Sequence, residues 1–222
     1  MKDIYISTDN LILREITAAD VFAIERIRRS INEEPNNINY YDLTNPEDTV
    51  KFYRSAIDQQ KTFPRRTISL AVAEKSAPHN MIGFVIGETT RLSSRKWKDK
   101  HARIDLGYFI DPKFQRRGYA TEASRAFLSK IFFENPKFKQ CNATVRPDNV
   151  LSRQVLEGGL GMIQYGKTMK IMKAGNPPEP RLLLKVSRDE FFKHKNHLGK
   201  KKNLEISTKT IQVKGFLQMK ER

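Results

Sequence analysis

The segment Ile104-Asp105-Leu106-Gly107-Tyr108-Phe109-Ile110-Asp111-Pro112-Lys113-Phe114-Gln115-Arg116-Arg117-Gly118-Tyr119-Ala120-Thr121-Glu122-Ala123 joins an apolar strand to a helix through a turn rich in glutamine, arginine and glycine. Gly118 allows close backbone approach and dihedrals closed to other residues. The N–H groups of the helix's first turn, from about Arg116 to Thr121, then point into one concavity. With the positive end of the helix dipole they favour a phosphate group, and Arg116 and Arg117 add charge beside it. No Gly-Lys-Ser/Thr follows this turn, as in a nucleotide-triphosphate loop, and it holds no Gly-x-Gly-x-x-Gly of a dinucleotide turn. The competing reading is an ordinary strand-to-helix turn with a solvated basic face. A second pair, Asn149 and Ser152, sits three residues apart where another helix opens. Asn149 is suited to cap that helix, and Ser152 is either a donor hydroxyl or a first-turn surface serine.

These residues need elements to hold them. Leu11–Ile16 reads as a strand, and Thr17 with Asp20 has the form of a capping box. The helix that follows, about 18–30, has Val21, Ile24, Ile27 and Ile31 at helical spacing. Asn45-Pro46-Glu47-Asp48 starts a second helix, expected to end near Gln60. Thr67–Ala73 and Met81–Thr90 form a hairpin around Pro78, His79 and Asn80, and Arg103–Ile110 is the third strand of that run. A helix over about 119–133 precedes the strand Gln140–Val145. The helix at 149–157 is expected to stop at Gly158-Gly159 in a left-handed turn. Strands near 162–172 and 181–186 complete the order β-α-α-β-β-β-α-β-α-β-β. This is a mixed α/β class with about seven strands in a partly open sheet and flanking helices. The expected domain spans residues 1–187, followed by a basic C-terminal extension over 188–222.

Composition narrows the partners. The chain has 222 residues with 41 Lys and Arg against 25 Asp and Glu, a formal charge of +16. From Phe191 to Arg222 the net charge is +7. No apolar run is long enough to span a membrane, and the start MKDIYISTDN is no secretory signal, so a cytoplasmic protein is expected. The single cysteine, Cys141, leaves no intramolecular disulfide and no thiolate metal cluster, and reads as a small buried hydrophobe. His194 and His197 have helical ligand spacing but no third ligand, so no metal is expected. The basic connector 91–101, with Trp97, and the run Lys200–Lys202 suit RNA, a ribosome or acidic protein; a solvated basic surface is the alternative.

Gln115-Arg116-Arg117-Gly118-Tyr119-Ala120 resembles the diphosphate loop, Gln/Arg-x-x-Gly-x-Gly/Ala, of the GNAT superfamily of N-acetyltransferases. The flanking Leu-Gly-Tyr-Phe-Ile and Thr-Glu-Ala resemble its ribosomal-protein (RimJ/RimL-like) and spermidine N-acetyltransferase branch. Asn149-Val150-Leu151-Ser152 is similar to the family's Asn-x-x-Ser signature. The likeness covers about residues 9–187. It departs at Glu157-Gly158-Gly159-Leu160-Gly161-Met162, one residue longer than the usual Glu-Lys-Leu-Gly-Phe.

The resemblance implies acetyl-coenzyme A as co-substrate, held by Leu106, Tyr108, Phe109, Ile110, Gln115, Arg116, Arg117, Gly118, Tyr119, Ala120, Thr121, Asn149 and Ser152. Asn149 is expected to bond the pantetheine arm and Ser152 to donate to the departing thiolate, with Tyr165 as an alternative donor. A main-chain amide on the Leu106–Ile110 strand would stabilise the oxyanion. A carboxylate must take the proton of a cationic amine, directly or through water, and Asp105 and Glu88 are the candidates. The expected acceptor is a protein N-terminus, of a ribosomal protein first, then a polyamine or other small amine. Glu33 and Glu34 would border that acceptor or lie on a solvated loop. A non-catalytic nucleic-acid- or ribosome-binding module is the rival reading, and the protein is expected to be a monomer or homodimer.

Overall fold

The computed structural model describes residues 4–33, 45–62, 64–90, 102–170 and 177–199. Arg91–His101 with Trp97, Glu34, the loop 171–176 and the Lys200–Lys202 run lie outside the described residues, as do the side chains of Glu33 and His197.

Eight strands form one sheet in the order β1-β2-β3-β4-β5-β6-β8-β7. They are β1 (Tyr5–Ser7), β2 (Leu11–Glu15), β3 (Thr67–Glu74), β4 (Met81–Thr90), β5 (Ala102–Ile110), β6 (Phe138–Val145), β7 (Ile163–Lys170) and β8 (Glu179–Ser187). The helices are α1 (Val21–Glu33), α2 (Pro46–Lys61), α3 (Tyr119–Glu134), α4 (Val150–Arg153) and α5 (Arg188–Gly199). This is the expected mixed α/β class with one strand more than the sequence suggests. The added strand, β1, pairs Tyr5–Ser7 antiparallel with Ile12–Arg14 at the sheet edge.

Alternation along the strands separates two cores. On one face Leu70, Val72, Ile104, Leu106 and Ile110 pack with Phe127, Leu128, Ile131 and Phe132 of α3. On the other, Ala71, Phe84, Ile86 and Phe109 pack with Ile24 and Ile27 of α1 and Ala56 of α2. Covered on both faces, β3 is a nearly continuous apolar run, Thr67-Ile-Ser-Leu-Ala-Val-Ala-Glu74. Phe127 fills the space above Gly87, where an added Cβ would fall 2.7 Å from the ring's Cζ. Removing that ring would cost about 3–5 kcal/mol. No described helix is long and apolar enough to cross a membrane.

Three features position the site. First, β5 pairs antiparallel with β4 from Arg103 to Ile110 but parallel with β6 only from Ala102 to Asp105. Past Asp105 the two strands part, and the edges of Leu106–Ile110 and Ala143–Val145 face a fork. Second, α4 does not stop at Gly158-Gly159: it continues as a π-helical turn over Gln154–Gly159. The left-handed glycine is Gly161 instead, with φ +70°. The π-turn ends ahead of Gly161, and β7 follows from Ile163. Third, α5 folds back on β6 and β8, with Phe191 buried edge-on to Phe132, ring centroids 5.6 Å apart.

Candidate active site

The turn after β5 is fastened at its root. Asp111 is buried; its Oδ1 accepts from the Lys113 amide at 3.1 Å, and its Oδ2 accepts from Arg26 Nε of α1 at 3.2 Å. Gln115 Nε2 donates to the Ile110 carbonyl at 2.8 Å, so this side chain braces the loop from within. Arg116 has φ +60°, the single positive value on a non-glycine residue among those described. Gly118, the N-cap of α3, has φ +81° and supplies no side-chain cap. The two left-handed residues swing the chain so that α3 begins with open donors. The amides of Gly118, Tyr119, Ala120 and Thr121 meet no acceptor among the described residues. Their convergence at a helix start, in a strained turn, makes a cradle of donors that can receive an anion.

The two arginines differ. Arg116 is exposed beside the cradle. Arg117 is turned aside: its guanidinium lies over the Phe114 ring and 3.3 Å from Glu74 Oε1, which also accepts from Tyr119 Oη at 2.8 Å. Glu122 in the same helix turn accepts from Thr8 Oγ1 at 2.5 Å and from the Asn10 amide at 2.9 Å, tying α3 to the β1–β2 turn.

Across the fork stands the start of α4. Asn149 Oδ1 accepts the Ser152 amide at 3.0 Å, the capping geometry expected for this residue type. Ser152 Oγ and Tyr108 Oη share a hydrogen bond of 2.8 Å, and Tyr108 Oη also lies 3.2 Å from the Ser152 carbonyl. Burial pushes the Tyr108 phenol well above its ordinary pKa, so it stays protonated and donates. Tyr108 Oη has one hydrogen for two acceptors: given to Ser152 Oγ, it leaves the serine's own hydrogen free to point into the fork; given to the Ser152 carbonyl, it leaves Oη to accept from Ser152. This hydroxyl pair joins β5 to α4 across the opening. The role of the Tyr108 side chain escapes a reading of the sequence, which assigns that residue for its strand position. The signal available is alternation: Tyr108 shares a face with Leu106 and Ile110, and a buried tyrosine needs a partner for its hydroxyl.

Main-chain direction along β5 follows from two bonds. The Asp111 amide donates to the Ile82 carbonyl of β4 at 2.8 Å, whereas the Ile110 carbonyl faces away, to Gln115. By alternation Phe109 faces β4, its carbonyl pressed against Gly83, while Leu106, Tyr108 and Ile110 face the fork. At the crotch, the Cys141 thiol of β6 donates to the Asn142 carbonyl at 3.6 Å. The Tyr108 and Ile110 amides lie beyond the last β5–β6 pair. Asp105 and Glu88 are direct cross-strand neighbours, and Asn142 of β6 pairs with Asp105. Both carboxylates lie on the sheet face of Phe84, Ile86 and Phe109, opposite to the Tyr108–Ser152 pair. Tyr165 is not brought there: it stands on the outer strand β7, half exposed, with Lys185 Nζ 5.2 Å from its ring centre. His194 Nε2 lies 3.0 Å from the Gly158 carbonyl, in contact with the end of the π-turn.

Comparison with known proteins bears on this geometry. The pattern of the family described as "Acetyltransferase (GNAT) domain" matches residues 10–162. Among curated proteins, the uncharacterized N-acetyltransferase YnaD of Bacillus subtilis (strain 168) is 32% identical over 72 residues, spanning 32% of this chain and 41% of that protein. Among solved structures, Mycobacterium smegmatis RimJ in complex with CoA-disulfide gives a TM-score of 0.68 at 17% identity, covering 86% of this chain and 91% of that one. The ribosomal-protein-S5-alanine acetyltransferase of Vibrio fischeri gives 0.67 at 19%, covering 85% and 99%. At these identities the structural likeness is one of fold.

Proposed function

Since the chain belongs to the acetyltransferase (GNAT) family, whose acyl donor is acetyl-coenzyme A, we propose that it transfers the acetyl group directly to a primary amine. The acceptor is a protein N-terminus, of a ribosomal protein in the first instance, or a polyamine or other small amine. The observation that carries this reading is the pairing of two helix starts about one fork: the open cradle of α3 on one side, and Asn149 and Ser152 of α4 on the other.

The residues fit the co-substrate by chemistry. Gly118 to Thr121 offer main-chain donors to a diphosphate, with Arg116 alongside. Asn149 keeps its side-chain N–H donors for the pantetheine arm while its oxygen caps α4. Asp105 or Glu88 takes a proton from the ammonium form of the acceptor, directly or through water, on one face of the sheet. The freed amine attacks the thioester carbonyl through the fork, and the Tyr108 and Ile110 amides receive the oxyanion. As the C–N bond forms and the C–S bond breaks, Ser152 Oγ–H, oriented by Tyr108, hydrogen-bonds the leaving thiolate on the other face, and the second proton shed by the acylated nitrogen passes through water to that sulfur.

Release of free thiol from acetyl-coenzyme A, followed over a panel of amines that includes peptides with free N-termini, tests the proposal. Turnover on at least one amine is expected. RNA affinity that falls steeply with salt and disappears without residues 191–222, with no thiol released on any amine, would replace it with a nucleic-acid-binding role.

A further inference from the structure

The π-turn that ends α4 meets α3 at two points on one face of that helix. An ideal Cβ at Gly159 would fall 2.9 Å from Thr121 Cγ2 and 3.2 Å from Thr121 Oγ1, closer than side chains pack. One helical turn along, Arg125 Nε donates to the Gly159 carbonyl at 2.7 Å. Gly158 differs: nothing lies within 4 Å of the Cβ it lacks. Neither residue has a positive φ, so the need for glycine at 159 is one of space and not of dihedral freedom. Thr121 carries one of the open amides of the α3 cradle. The opposite end of the α4 segment carries Asn149 and Ser152.

We infer that Gly159, held between Thr121 and Arg125, is a positioning residue that sets the span between the α3 cradle and the Ser152 hydroxyl. The span matters because, on the function proposed above, a single extended ligand is gripped at both places, by its diphosphate and by its thioester. Packed helices do not yield continuously, so a few tenths of an ångström at the contact is transmitted to the cradle. Serving no ligand directly, Gly159 acts through Thr121. Gly159 is the last residue of the π-turn, the point at which this segment meets α3.

The test compares Gly159→Ala, Gly158→Ala and the double variant Gly159→Ala/Thr121→Ser, measuring coenzyme A affinity by calorimetry, the KM of each substrate, and Tm. Gly159→Ala is expected to weaken coenzyme A binding and raise the acetyl-coenzyme A KM by about tenfold, leaving the amine KM unchanged. Gly158→Ala is expected to bind like wild type. The double variant, which removes the nearest methyl, is expected to recover most of the affinity. Wild-type affinity in Gly159→Ala, an equal loss in Gly158→Ala, or no recovery in the double variant overturns the inference.

Should Gly159→Ala fail to fold, Arg125→Met carries the test. It is expected to lower coenzyme A affinity with the salt dependence of binding unchanged; wild-type affinity, or a flattened salt dependence reporting a direct phosphate contact, overturns the inference. A wild-type chain that neither binds coenzyme A nor releases its thiol from the acetyl form overturns the proposed function as well. Failure confined to the variants overturns the positioning role alone.

Discussion

Two helix entrances in this protein are built on opposite plans. Before α1, the Asp20 carboxylate accepts from the Thr17 amide at 2.8 Å and the Thr17 hydroxyl at 3.0 Å, and takes both guanidinium arms of Arg14 at 2.8 Å. That side chain is 1% exposed, and nothing is left for a ligand. Before α3, a glycine stands where a capping side chain would, and four amides meet no acceptor among the described residues. A filled entrance stabilises the fold; an empty one, on a strained turn, forgoes that stabilisation and keeps donors for something else. The contrast separates residues that serve stability from those assigned to binding.

Gly118→Asp is the strongest way to erase it. Aspartate tolerates the left-handed region, so the chain is expected to fold with a carboxylate across its own open amides. Coenzyme A affinity is expected to drop at least about 100-fold by calorimetry, from competition and charge repulsion. Ser152→Ala comes next, with kcat lower by about 100-fold and the acetyl-coenzyme A KM little changed in steady-state assays. At the filled entrance, Asp20→Ala leaves Arg14 without its partner and is expected to cost about 3 kcal/mol in denaturant unfolding while coenzyme A affinity stays at wild type. Tyr108→Phe removes one hydrogen bond to Ser152 and is expected to lower kcat about fivefold.

The smallest effect is one of pH. Burial alone would raise the Asp20 pKa, but the bonds from Arg14 and Thr17 outweigh it and hold the carboxyl below its ordinary value of 3.8. A folded-state pKa below the unfolded one gives stability that is complete above that ordinary value and fades as pH falls beneath it. The stability gap between wild type and Asp20→Asn is expected to be full at pH 6 and to close in the acid range below 3.8. A gap that stays constant would remove Asp20 from the stabilising side of the comparison.

Local rules make much of this legible in the sequence. The Thr17–Asp20 entrance, the limits of β4, and the strand–turn–helix around Gly118 all follow from short-range patterns, and the structure contains each. What escapes depends on distant parts of the chain. β1 is three residues long and exists through its pairing with β2. The continuation of α4 through Gly158-Gly159 reverses the usual meaning of paired glycines, because the space needed at Gly159 is defined by Thr121. α5 hides in a Lys-rich stretch, where Phe191 is legible as a core residue only once Phe132 is in place. Arg117 reads as a phosphate ligand in the sequence, whereas its ion pair with Glu74 appears only once β3 lies beside the turn. The carboxylates Asp105 and Glu88 are plain in the sequence, whereas their placement on the face opposite Ser152 requires the register of β4 on β5.

Cys141 has a practical consequence. It is the chain's one sulfhydryl, fully enclosed beside the fork, and enclosure together with the negative charge of Asp105 keeps it from ionising. A chromogenic disulfide reagent added to the native enzyme should therefore meet no reactive protein sulfur, and colour formed during turnover reports released coenzyme alone.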